Sequence, residues 1–142
     1  MDYLIRRKAT ELDSTGYVEI GPGRYSGAHW QDGFLFVWED AFGMAEGILA
    51  KHFSAYDHFA INEIPKEIGM KVIDEWRQAA GALYSTNPAE TAQMLNLDAS
   101  YHTGLENEIA EHRDAIAVML KELAAECGSF YQSEDWISVL GI

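Results

Sequence analysis

The pattern of apolar and polar positions changes along the chain from the two-residue period of strands to the longer period of helices. Residues 34–38 are all apolar, which is typical of a central strand covered on both faces. Glycine, proline and aspartate at 21–23 and 31–33 indicate turns. The first part of the chain therefore predicts an antiparallel meander. The expected strands are 3–7, 16–20, 24–30, 34–38 and, further along, 58–63.

Apolar residues recur every three to four positions in the later segments, which predicts helices at about 41–53, 66–83 and 104–127, with a helical turn possible at 88–95. Asp40 can cap the first helix, Pro65 opens the second, and Gly128 is a good terminating residue for the long one. Gly43 and Gly47 lie one turn apart and predict close packing of the first helix on the sheet. The tail at 134–140 fits both a strand and a helix.

Together these elements predict an α+β fold with an antiparallel sheet of about five strands, mostly N-terminal, packed against three or four helices. A chain of 142 residues is about one domain, and no linker or repeat divides it, so a single domain over residues 1–142 is expected. The sequence is 48% hydrophobic and 12% aromatic, which is enough to bury a sizeable core.

The sign of the charge is unusual: 23 Asp and Glu residues stand against 10 Lys and Arg, for a formal net charge of -13. The acids are spread through a hydrophobic sequence, so they belong to a folded surface and not to an acidic tail. Such a surface repels nucleic acid and anionic membrane, and it attracts basic proteins and speeds their approach. The expected partner is therefore a basic protein, with no nucleic acid and no membrane.

Cysteine use and the start of the chain bear on the compartment. Cys127 is the only cysteine, so no internal disulfide can form, which favours a reducing compartment. The first residues lack the long apolar region of a secretory signal, and no stretch approaches the roughly 18–20 apolar residues of a membrane span. A cytoplasmic location is expected.

Metal-ligand spacing is weak in this sequence. His102 with Glu106, and Glu108 with His112, are each four apart and share a helix face. Zinc needs three or four converging ligands, and neither His-Glu-x-x-His nor Cys-x-x-Cys occurs. His112 also lies on the apolar stripe, which predicts a hydrogen-bonded core histidine. No metal and no cofactor are expected.

Candidate nucleophiles are no better supported. Cys127 lies near a predicted helix C-terminus, where the helix dipole disfavours a thiolate, so a small buried apolar side chain is expected. The glycines at 21–27 lack the following helix of a phosphate loop, and no serine lies in Gly-x-Ser-x-Gly. The sequence predicts no catalysis. A small enzyme built on His58, Glu63 and nearby carboxylates is the alternative.

Aromatic residues lie among acids near the predicted strand ends and turns, a mixture that protein interfaces use. Acids on the long helix are explained by solubility alone, so the positions near strand ends are the predicted partner-binding residues. These residues are Trp30, Asp32, Glu39, Asp40, Asp57, Glu63, Glu134 and Asp135. The competing interpretation of Trp30 is an ordinary core residue.

The small acidic chain begins with a strand meander, carries Phe-Ala-Ile-Asn-Glu-Ile-Pro at 59–65, and follows it with an amphipathic helix ending in Glu75-Trp76. In this layout it resembles the immunity proteins of bacterial polymorphic toxin systems, such as contact-dependent growth inhibition. The resemblance implies a non-catalytic inhibitor that covers the active site or substrate groove of one toxin, commonly a nuclease, whose groove is basic because its substrate is a polyanion. A non-catalytic adaptor or oligomeric subunit is a further alternative, and the oligomeric state stays open.

Overall fold

A computed structural model describes residues 2–98 and 102–141. The described part contains four strands: β1 (Tyr17–Pro22), β2 (Leu35–Trp38), β3 (Ile61–Pro65) and β4 (Trp136–Leu140). It also contains five α-helices: α1 (Glu39–His52), α2 (Lys66–Ala82), α3 (Pro88–Met94), α4 (His102–Glu111) and α5 (Arg113–Ser133). The α+β class is confirmed, with one strand fewer and more helices than the pattern predicted.

The four strands form one antiparallel sheet in the order β2-β1-β4-β3. The tail is the strand β4, and it lies between β1 and β3, with Val139 opposite Ile20 and Ile137 opposite Ile64. The predicted N-terminal meander is therefore only half correct. β1 and β2 pair as expected, but β3 reaches the sheet only through the C-terminal strand.

Two predicted strands are absent from the described chain. Residues 3–7 contribute a single bridge, in which the backbone groups of Arg6 and Phe36 exchange hydrogen bonds of 2.9 and 2.8 Å. Residues 24–30 form a loop over the outer face of the sheet, because positive φ angles at Gly23, Gly27 and Trp30 interrupt an extended backbone.

The apolar segment at 34–38 is not a central strand, since β2 lies at the edge of the sheet. Both of its faces are nevertheless buried. Leu35 and Val37 belong to the core under the helices, whereas Phe34 and Phe36 join a second cluster on the outer face with Tyr17. The pattern correctly indicated two covered faces, but the outer cover is the 23–33 loop and not a second layer of secondary structure.

The predicted long helix at 104–127 is two helices. The backbone of His112, at φ -122° and ψ 28°, leaves the helical region between α4 and α5. The next residue, Arg113, donates its guanidinium to the carbonyl oxygens of Leu83 and Thr86 beyond the end of α2. α5 then continues past Gly128 to Ser133.

The core lies between the inner face of the sheet and the helices, and α2 and α5 make the most extensive helix–helix contact. Trp76 of α2 is 2% exposed, and its indole N–H donates to the carbonyl oxygen of Ala45 in α1 at 3.0 Å. Pro65 precedes α2, as the sequence suggested. Asn87 caps α3 in a capping box with Glu90, which was not predicted. No helix in the described ranges has both the length and the apolar character needed to cross a membrane.

Candidate functional site

Two acids in the first two turns of α1 bind the ring of His58, which lies in the loop before β3. His58 Nε2 lies 2.7 Å from a carboxylate oxygen of Glu39, and its Nδ1 hydrogen-bonds to Glu46. Tyr56 donates its hydroxyl to the same Glu46 oxygen at 2.5 Å. Glu39 and Glu46 are seven residues apart, so two helical turns place them on one face of α1. We call Glu39, Glu46, Tyr56 and His58 the His58 cluster.

Both ring nitrogens of His58 face carboxylates, and both can donate only when the ring is protonated. Burial by itself would lower the pKa of His58, but the hydrogen bonds to Glu39 and Glu46 outweigh it and raise the pKa above its ordinary value. Burial and the bond to Glu46 raise the pKa of Tyr56 as well. In this arrangement the imidazole has no lone pair for a proton or a metal ion, so the cluster acts as a fixed set of charges.

The loop at 57–60 presents an apolar side chain beside this cluster. The buried side chain of Asn62 accepts from the Asp57 N–H at 2.9 Å and donates to the Ala60 carbonyl at 3.2 Å, while Asp57 accepts from the Phe59 N–H at 2.9 Å. These bonds fix a tight turn, so β3 begins at Ile61 and not at His58 as predicted. Phe59 is 75% exposed and contacts the His58 ring edge to face at 4.8 Å.

Glu39 and Glu46 differ from the acids that pair with Lys or Arg. Some carboxylates elsewhere in the described chain, such as Glu63 and Glu75, form such pairs, and others, such as Glu67 and Asp135, form no ion pair with the described residues. The ion pairs of Glu39 and Glu46 in these ranges involve His58 alone. We call the surface formed by Glu39, Asp40, Glu46, Asp57 and Phe59 the Phe59 face. Phe59, the most exposed large apolar side chain of the described residues, therefore lies beside acids that have no Lys or Arg partner in these ranges.

Of the predicted binding residues, the structure brings together Glu39, Asp40 and Asp57. Glu39 and Asp40 form the first turn of α1, and Asp57 precedes His58 in the chain. The predicted cap by Asp40 is wrong, because α1 begins at Glu39 and its N-cap residue, Trp38, makes no side-chain capping bond. Asp40 is an exposed acid beside the helix N-terminus.

A second group of predicted residues lies on the outer side of the sheet. Glu63 of β3 binds the Arg24 guanidinium at 3.1 and 3.2 Å and accepts from the Tyr25 N–H at 3.0 Å. These partners lower the pKa of Glu63, with the hydrogen bonds from Arg24 contributing most. Glu134 and Asp135 are exposed in the turn between α5 and β4. Glu63 and His58 therefore each have separate partners, and no hydrogen bond joins them in the described chain.

Trp30 and Asp32 belong to the loop over the outer face. Trp30 is 38% exposed, and its ring stacks on Phe36 with centroids 6.2 Å apart. The backbone N–H of Trp30 donates to the buried carboxylate of Glu19 at 2.5 Å. His29 contacts the other Glu19 oxygen at 2.6 Å. These contacts fasten the loop to the sheet, which makes Trp30 a largely structural residue. Asp32 is exposed in the turn before β2.

Sequence reasoning missed two residues of the Phe59 face. Glu46 was not among the predicted residues, although its seven-residue spacing from Glu39 on a predicted helix was a usable signal. Phe59 lies within the strand predicted at 58–63, and strand alternation gives no indication that a turn exposes it.

The remaining candidates for chemistry are the possible metal ligands near His112 and the thiol of Cys127. Glu108, Glu111 and His112 place possible ligand atoms within 4.8 Å of one another at the end of α4, which their positions on consecutive turns account for. His112 is half-buried against Tyr3, with ring centroids 5.9 Å apart, and is not a fully buried core histidine. Burial raises the pKa of the Cys127 thiol to about 12, so this side chain is an apolar core residue.

Comparison with known proteins adds no relative: no family model matches the chain, and no curated protein or solved structure does either.

Replacing His58 by Gln makes stability less dependent on pH. Because the folded-state pKa of His58 is raised, its ion pairs stabilise the fold fully below about pH 6.5, its unfolded value, and this contribution is lost as pH rises through the folded pKa. Urea unfolding of wild type and His58→Gln at pH 6 and pH 9 measures the effect. The wild type is expected to be the more stable protein at pH 6, with a smaller advantage at pH 9. An advantage that is the same at both pH values would contradict the charged state of His58.

Proposed function

We propose that this protein is a cytoplasmic immunity protein, which binds and neutralises a cognate basic toxin domain by covering its active site or substrate groove. The toxin class that fits best is a nuclease, since a groove that binds a polyanion is cationic. The role needs no catalysis by this chain, only affinity for one partner. The resemblance to immunity proteins in size, charge and layout supports the proposal.

The Phe59 face is the observation that carries the proposal. Interfaces derive much of their energy from a few aromatic anchors surrounded by less important contacts, and charge complementarity adds speed and specificity. Phe59 is 75% exposed and packs on His58, whose ring is held by two acids without Lys or Arg partners in the described chain. Ile61, which is 48% exposed, extends the apolar surface along the edge strand β3.

The test begins with the genes that flank the gene for this chain, one of which is expected to encode a polymorphic toxin. The C-terminal domain of that toxin is purified and assayed for stoichiometric inhibition. Addition of one equivalent is expected to abolish nuclease activity without turnover, and the association rate constant is expected to fall as salt rises. Nuclease activity that persists at several equivalents would overturn the proposal.

Replacing Phe59 by Ala is expected to weaken the complex about 30-fold or more, because truncating an interface anchor costs about 2 kcal/mol or more. Isothermal titration calorimetry measures the dissociation constant. Tyr84→Ala is the matched control, since Tyr84 is 58% exposed but lies beyond α2. Equal affinities for the two variants would show that the anchor lies elsewhere.

A further inference from the structure

A cleft of about 510 Å³ opens beside the His58 cluster, between α1 and the segment that follows α3. Its apolar surface includes Ala50, Leu97 and Leu105. Its acidic groups are Asp40, Glu46 and Asp98, and no Lys or Arg is among the described residues that line it. The cleft therefore combines apolar walls with carboxylates.

Two glycines one turn apart on α1 shape this cleft. A Cβ at Gly47 would overlap the carbonyl oxygens of Leu95 and Asn96, so glycine is required for the close approach of α1 to this segment. The Asn96 amide fixes the approach by donating to the Gly47 carbonyl at 2.9 Å. A Cβ at Gly43, by contrast, would meet nothing within 4 Å. The expected packing of both glycines on the sheet is wrong: Gly47 packs on the 95–96 backbone, and Gly43 leaves open space.

We propose that this cleft receives an arginine side chain of the basic partner, an inference that rests on the proposed function. The aliphatic stem of arginine suits the apolar walls, while its charged head needs acceptors. A guanidinium has five N–H donors in a planar fork and can bind more than one carboxylate, whereas an ammonium is a compact point charge that holds its hydration water more strongly. Asp40 is an exposed acid of the lining, and its carboxylate can accept two parallel N–H groups from one guanidinium, a bidentate geometry that an ammonium does not match.

The cleft can be tested without the toxin, by titrating n-butylguanidinium into the ¹⁵N-labelled full chain and following amide chemical shifts. Saturable shifts are expected at Gly43, Glu46, Gly47 and Asn96, with n-butylammonium binding at least threefold more weakly. Gly43→Leu fills the open space and is expected to reduce the affinity tenfold or more. Gly81→Leu is the matched control, because a Cβ on this exposed α2 glycine also meets nothing within 4 Å. Asp40→Asn is expected to weaken binding severalfold.

The outcomes separate this inference from the proposed function. The arginine cleft would be overturned by chemical-shift changes spread over the whole surface, or by equal affinity of Gly43→Leu and Gly81→Leu for n-butylguanidinium. Neither result bears on toxin inhibition, which is measured separately. Equal binding of butylammonium would overturn the choice of arginine. If n-butylguanidinium binds in the cleft but the protein does not inhibit the toxin domain, the cation site is supported and the immunity role is refuted.

Discussion

Trp76→Ala is expected to lower the free energy of unfolding by about 3–5 kcal/mol, because it truncates a large aromatic side chain of the core. The indole is 2% exposed between α1, α2 and the sheet, so truncation removes buried apolar contacts and leaves a cavity. It also removes the hydrogen bond from the indole N–H to the Ala45 carbonyl, which keeps only its bond within α1. Because domains of this size are stable by about 5–15 kcal/mol, urea unfolding should show a much lower midpoint.

Trp30→Gly is the contrasting variant. Trp30 is partly exposed and has φ 59°, a conformation that glycine adopts without strain. Loss of its stacking on Phe36 is offset by relief of backbone strain, so a change of no more than about 1 kcal/mol is expected. A Trp30 variant as unstable as the Trp76 variant would mean that the 23–33 loop is part of the main folding unit.

The helices were predictable because their signals are local. Apolar spacing together with Pro65 placed α2, and the possible helical turn at 88–95 placed α3, within a residue or two of their bounds. The break at His112 was not predictable, since Arg113 bonds to carbonyls about thirty positions earlier in the chain. Long-range hydrogen bonds of this kind do not change the spacing of apolar residues along the chain.

Strand order escaped prediction for a related reason. β4 pairs with β1 across more than a hundred residues, and its alternating pattern suits a strand beside any neighbour. The prediction of a strand at 24–30 failed because Gly23 and Gly27 have positive backbone φ angles. Glycine adopts positive and negative φ about equally well, so its presence does not show which one occurs. The positive φ of Trp30 depends on the Glu19 carboxylate, which is a tertiary contact.

The candidate site was partly accessible from sequence. Acids near strand ends were predicted because they lie among aromatic residues, and Glu39, Asp40 and Asp57 do lie together. Glu63 had the same sequence context, yet Arg24 and Tyr25 reach it across the sheet. Whether an acid near a strand end pairs with an arginine depends on loop placement, which the composition near a strand end does not encode.

Reversing two charges of the Phe59 face, in the double variant Asp40→Lys/Asp57→Lys, is expected to slow association with the toxin domain about tenfold or more at low salt. Electrostatic steering raises association rates about 10- to 1000-fold, and like charges brought together at an interface cost several kcal/mol. Stopped-flow or surface plasmon resonance at two salt concentrations measures the rate constant. The wild-type advantage should shrink at high salt, because exposed charges are then screened.

The control is the double variant Asp74→Lys/Asp114→Lys, which changes the net charge by the same amount on distant helices. Asp40 and Asp114 both lie in the first turn of a helix, so each reversal carries a similar helix-dipole penalty of about 0.3–1 kcal/mol. Local steering predicts a slow Asp40/Asp57 variant and a near-normal control. Equal slowing would mean that only the total charge of -13 matters. Charge reversal at a binding surface should weaken binding and leave the fold intact. If the melting temperature of the Asp40/Asp57 variant falls as far as its affinity, and that of the control does not, Asp40 and Asp57 are structural residues.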